Sequence, residues 1–162
     1  MAVERVGYSV VGSTPSQLRL SIEALGPTRA GRRFAAFTDW SVRYRYTCDA
    51  GRPAFVSTKV SARVTLPRWR PGREVGAEVR RIWEQYLSAL ERHEQGHLAC
   101  AERASVLIER RLRELPRASS RQELDAMAGV AVAEATVIAR GDEVAYDLET
   151  DGGAKQGARL PR

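Results

Sequence analysis

The sequence predicts an α+β fold: N-terminal antiparallel strands with a short helix, then a long helix and a second, C-terminal helix. Three observations carry this. From Ala36 to Tyr46, and again from Val56 to Leu66, apolar, aromatic or β-branched residues recur at every second position, the period of a strand with one buried face. From Val79 to Leu112 they recur every three or four, the period of an amphipathic helix. A second helical run follows, and no repeat or linker interrupts the 162 residues, so the pattern reads as one domain over 1–162.

The first element is a short strand, with Val6, Tyr8 and Val10 at alternate positions. Thr14 then caps a helix that has Pro15 at its first position and Gln17 three residues after the cap, and that stops at Gly26 and Pro27. Ala36, Thr38, Trp40, Val42, Tyr44 and Tyr46 form the inward face of a strand whose odd positions carry Asp39, Ser41, Arg43 and Arg45. Val56, Val60, Ala62, Val64 and Leu66 repeat the pattern after the turn "DAGRP", which predicts a hairpin or neighbouring antiparallel strands.

After "LPRWRPG" a single stripe of Val79, Trp83, Tyr86, Leu90, His93, His97, Ala101, Ala104, Ile108 and Leu112 predicts a helix ending near Pro116. Ser119 or Ser120 caps a last helix to about Arg140, with Leu124, Met127, Ala131, Ala135 and Ile138 inward and Gly141 as its stop. The final 21 residues read as a glycine-rich, irregular tail.

With 43% hydrophobic residues the chain can bury a core of its own, and no apolar run reaches the roughly 18 residues of a membrane span, so a soluble protein is expected. Formal net charge is +6, with 24 arginines against only Lys59 and Lys155. The arginines run from Arg5 to Arg162 among 20 acids rather than in a basic cluster, which argues against a nucleic-acid partner. Two cysteines, Cys48 and Cys100, are compatible with one disulfide or two thiols. The N-terminus "MAVERVGYSVVG" carries no export-signal pattern.

The stretch "HEQGH", His93 to His97, holds both histidines of the chain. Four apart on a helix, they can offer ring nitrogens to one zinc ion, while Glu94 on the adjacent face can hold a water rather than the metal. Zinc lowers the pKa of such a water from about 15.7 toward about 7, and the glutamate accepts its proton as the water attacks a carbonyl. Both histidines lie on the apolar stripe, where an unpaired polar ring would cost about 1 to 3 kcal/mol. A shared ion accounts for both placements. Gly96, a helix-interior glycine, marks a close approach: a peptide substrate, an edge strand or a packing contact with another helix.

Catalytic zinc normally takes three protein ligands, and no third histidine exists. Cys100 lies about 10 Å along the helix from His93, too far for a shared ion if the helix is continuous. Glu134, within the apolar run "MAGVAVAEATVIA", resembles the glutamate ligand of gluzincins, and Asp147 and Asp151 in the tail complete the candidates.

The stretches "FTDWSVRYRY", "TLPRWRPG", Trp83, "HEQGH" and "YDLETDGGAKQGARLP" resemble, in order, the bacterial domain-of-unknown-function family 922, described as predicted secreted zinc-dependent proteases. The resemblance spans nearly the whole chain. Tyr146, Asp147, Thr150, Gly153, Gln156 and Gly157 agree with the family's tail pattern, whereas Gly152 stands where that pattern has a histidine, the third ligand the resemblance implies. Asp151, adjacent to the substituted position, is the expected replacement, with Glu134, Asp147 or water as alternatives.

The resemblance implies a zincin-like metallopeptidase acting on a peptide or protein, secreted or periplasmic; the expected site has zinc held by His93, His97 and Asp151, Glu94 as general base, and Tyr146 either as an oxyanion donor or as a tail residue anchoring its loop by packing. The alternative is an impaired pseudoprotease, a zinc-stabilised protein-binding domain, because Gly152 replaces the histidine.

Overall fold

The computed structural model describes residues 1–161. In chain order it contains β1 (Ala2–Val10), α1 (Pro15–Leu25), β2 (Thr28–Arg29), β3 (Arg32–Arg33), β4 (Phe37–Asp49), β5 (Arg52–Trp69), α2 (Ala77–Arg113), α3 (Arg121–Thr150) and a 3-10 turn, Ala154–Gln156. This is the α+β class that the two periodicities predict. No helix among the described residues is long and apolar enough to cross a membrane.

β5 lies between β1 and β4 in a three-stranded sheet. β4 and β5 are joined by Ala50 and Gly51, both at positive φ (45° and 77°), the backbone of the tightest hairpin turns. A second, two-stranded antiparallel ribbon pairs Thr28 with Arg33 and Arg29 with Arg32. The inward positions read from β5, Val56, Val60, Ala62, Val64 and Leu66, are all buried.

Helix starts follow their capping chemistry. The Thr14 hydroxyl accepts from the Gln17 amide at 3.3 Å, and Gln17 reaches back to the Ser13 amide at 2.8 Å, so two amides left unpaired at the helix start are satisfied. At α3 the cap is Ser120, whose hydroxyl accepts from the Glu123 amide at 3.1 Å.

The end of α3 differs from the sequence expectation. The helix runs through Gly141 and ends at Thr150, so residues expected in an irregular tail are helical. One exposed interior glycine costs about 1 kcal/mol against alanine, too little to stop a helix whose next two turns are anchored by side chains. The true stop is Asp151, at φ 52°: its amide donates to Leu148 O at 3.4 Å and the Gly152 amide to Asp147 O at 2.9 Å, a Schellman closure. The inward face of α3 also shifts: Ala128 and Ala139 are buried, while Ile138, expected inward, is 45% exposed.

The chain divides into two compact units, one of Met1–Ala2, Trp40–Ala62 and Leu98–Ala145, the other of Val3–Asp39, Arg63–His97 and Tyr146 onward. The first is built on Val56, Ile108, Leu112, Ala128 and Ala135, with Tyr44, Tyr46 and Leu107 packed against them. Cys48 is exposed and Cys100 buried, and no disulfide joins them. In the second unit Leu18 and Ile22 of α1 are buried, and Trp83 packs at a tilt against both Trp69 (5.5 Å) and Tyr86 (5.7 Å). Tyr8 donates to Ala35 O at 2.7 Å and Trp69 Nε1 to Gly12 O at 3.0 Å, so these half-buried rings keep their polar atoms paired.

Candidate metal centre

His93 and His97 lie one turn apart on α2, His93 buried and the His97 side chain only 12% exposed. Their Nε2 atoms are 3.2 Å apart. Because α3 continues past Gly141, it carries Asp147 to the same point: Oδ1 is 3.1 Å from His93 Nε2 and 3.2 Å from His97 Nε2. The three side chains form a group that could hold a metal ion. Donors around a tetrahedral zinc, with bonds of about 2.0 to 2.1 Å, stand about 3.3 Å apart, so the observed triangle matches such an ion within 0.2 Å.

The surroundings set the histidine tautomer. Gln156 Oε1 lies 3.1 Å from His93 Nδ1, and the Gln156 amide group donates to the Tyr146 hydroxyl at 3.1 Å. With the carboxamide so oriented, His93 Nδ1 is the donor to Gln156, and Nε2 is the nitrogen turned toward the group. Thr150 Oγ1 stands 3.4 Å from the same nitrogen and itself donates to Tyr146 O at 2.7 Å. Arg92 Nη2 donates to Gln156 O at 3.2 Å, holding the 3-10 turn against α2.

Asp147 is held well below the usual carboxylate range by hydrogen bonds from His93 and then His97, so it is an anion near neutral pH. Glu94 behaves oppositely. It is 3% exposed, and desolvation raises its pKa, opposed by a hydrogen bond from Thr38 and by the charges of His97 and His93. Thr38 Oγ1 donates to Glu94 Oε2 at 2.6 Å. A carboxylate pulled upward and aimed by a fixed donor suits proton transfer near neutral pH.

Several expected assignments change. Asp151, the expected third ligand, is not brought to the histidines: as the left-handed residue closing α3 it points elsewhere, its Oδ2 3.7 Å from Arg159. Asp147 stands there instead. Glu134 is exposed on α3, beside a groove lined by Arg111 and Met127, and is no part of the group. Cys100 is buried with its sulfur accepting from Arg103 at 3.0 Å.

Tyr146, expected either as an oxyanion donor or as an anchor by packing, has its hydroxyl engaged by His93 O at 3.2 Å, and its ring stacks on His93 at 5.1 Å. It therefore positions a histidine rather than presenting a free donor. The close approach at Gly96 is this same ring: a Cβ there would lie 2.1 Å from Tyr146 Cζ. Gly153, at φ 85°, likewise clears His93, since its Cβ would meet the ring at 3.0 Å.

Thr38 is a site residue that the sequence alone does not assign, although a hydroxyl on the inward face of a strand, among Ala36 and Trp40, needs a buried partner. No sequence signal names that partner.

No curated protein and no solved structure matches the chain. A family model described as a bacterial protein of unknown function (DUF922) matches residues 6–153, and with nearly the whole sequence so covered, the chain belongs to that family.

Proposed function

We propose that the protein is a zinc-dependent metallopeptidase with a zincin-like site, its ion held by His93, His97 and Asp147. The observation that carries this is the near-equilateral triangle of three ligand atoms, with edges of 3.1, 3.2 and 3.2 Å, beside a buried glutamate. When bound, zinc would acidify a water and polarise a substrate carbonyl.

The chain's own residues do the rest. Glu94, raised by burial and oriented by Thr38, accepts a proton from the attacking water and returns it to the leaving amine. Gln156 fixes the His93 tautomer, and Tyr146 holds the His93 turn of α2 from behind. A peptide or protein substrate, and a location outside the cytoplasm, belong to this reading. Gly152 does not weaken it, because a carboxylate occupies the third position of the triangle.

Protein purified without chelator should carry about one zinc per chain by elemental analysis, the stoichiometry of a three-ligand catalytic site. Glu94→Gln should keep the metal and abolish cleavage of a peptide library. Protein that takes up no zinc sinks the reading, while zinc binding that raises Tm without any turnover favours the pseudoprotease.

A further inference from the structure

A cavity of about 300 Å³ lies within the second unit, bounded by α1, the segment after β3, one turn of α2 and the residues that follow the 3-10 turn. Its floor is apolar, with Ile22, Tyr86 and Leu160 all buried. Its rim carries Arg19, Arg33 and Arg159.

Two donors at this cavity have no acceptor. Tyr86 is 5% exposed as a residue, but its hydroxyl oxygen is not closed off from solvent and makes no hydrogen bond among the described residues, whereas neighbouring Tyr8 donates to Ala35 O at 2.7 Å. Arg19 Nε is buried without a partner, although Nη1 of the same side chain pairs with Glu23 at 3.1 Å. Nearly all buried polar groups are satisfied, by protein, water or ligand. Arg33 donates one nitrogen to Gly26 O at 2.9 Å, and Arg159 stands 3.7 Å from Asp151, so both keep further donors. Among the described residues the one acid in the lining is Glu23, already opposite Arg19.

The lining thus offers guanidinium and phenol donors over hydrocarbon, and the carboxylate it carries, Glu23, is already taken by Arg19. Guanidinium groups match planar carboxylates with paired hydrogen bonds. An inorganic anion would leave Ile22 and Leu160 against water. We propose that this cavity binds a carboxylate carried on an apolar body about the size of one residue, with Arg33 and Tyr86 as its principal donors. The ligand is a free aryl or aliphatic acid or the C-terminal residue of a peptide. The site is independent of the metal centre and of the peptidase reading.

The test is calorimetric titration of the purified protein with 3-phenylpropionate, its amide, and a short peptide ending in phenylalanine with free or amidated terminus. Saturable binding of the acids is expected, with the amides at least about tenfold weaker, the size of one lost charge-assisted pair. Arg33→Gln should weaken binding about tenfold and Tyr86→Phe about threefold, Tm confirming that each is folded. Asp147→Asn, which removes a candidate metal ligand, should leave it unchanged. Tighter binding of the peptide than of the free acid identifies a chain terminus as the occupant, and the reverse identifies a small acid. Acid and amide binding alike, no saturation in the millimolar range, or binding lost in Asp147→Asn but kept in Arg33→Gln, would overturn the proposal.

Discussion

Two carboxyl groups near the histidines are driven in opposite directions by their surroundings. Asp147, nearly half exposed and hydrogen-bonded by both imidazoles, is an anion suited to ligation, while Glu94, dry and held by Thr38, is suited to carrying a proton. Asp147→Asn should therefore weaken zinc binding by about ten- to a hundredfold or more, read by competition with a chromophoric chelator, and Asp151→Asn should leave it within error. Equal effects would return the third position to Asp151. Thr38→Val removes a buried hydrogen bond to a charged group and should lower stability by about 1.5 to 3 kcal/mol in denaturant melts. Because that bond lowers the Glu94 pKa, its loss should move the acid limb of any pH–rate profile upward. An unmoved limb would mean that Glu94 does not govern the rate.

At the scale of elements, the pairing of α2 with the last turns of α3 depends on one absent side chain. Gly96→Ala would put a methyl 2.1 Å from the Tyr146 ring, which has no flexible end to yield, so a loss of about 1 to 3 kcal/mol and weaker zinc binding are expected. Gly96→Ala in a Tyr146→Leu background should lose less; equal losses would place the strain elsewhere. Strand and helix periods were legible because burial on one face fixes them: β5 and the α2 stripe stand where the alternation put them. The length of α3 was not legible. Gly141 looks like a stop in isolation, and what carries the helix past it is contact made by Tyr146 and Thr150 with His93, residues more than fifty positions away. With Gly141 as the stop, the Asp147 turn falls in a loop and Asp151 is the nearer choice.

For the molecule as a whole, buried phenols set an alkaline limit. Burial raises Tyr86 to about 12 from the model-compound value of 10.0. The unfolded chain releases this proton near pH 10 and the folded chain only near pH 12, so stability is complete below pH 10 and falls through that window. Two pH units correspond to about 2 to 3 kcal/mol at most, and Tyr86→Phe should flatten the decline of Tm over this range. A wild-type Tm unchanged from pH 10 to 12 would contradict the burial effect. The sequence by itself determined the α+β class, the order of the long strands and helices, the helix that presents HEQGH and, through its motifs, the family, because period, capping and residue spacing are local properties of the chain. Only the tertiary structure decided which acid completes the triangle, which hydroxyl holds Glu94 and why residue 96 has no side chain, because each depends on atoms brought together from distant segments by burial.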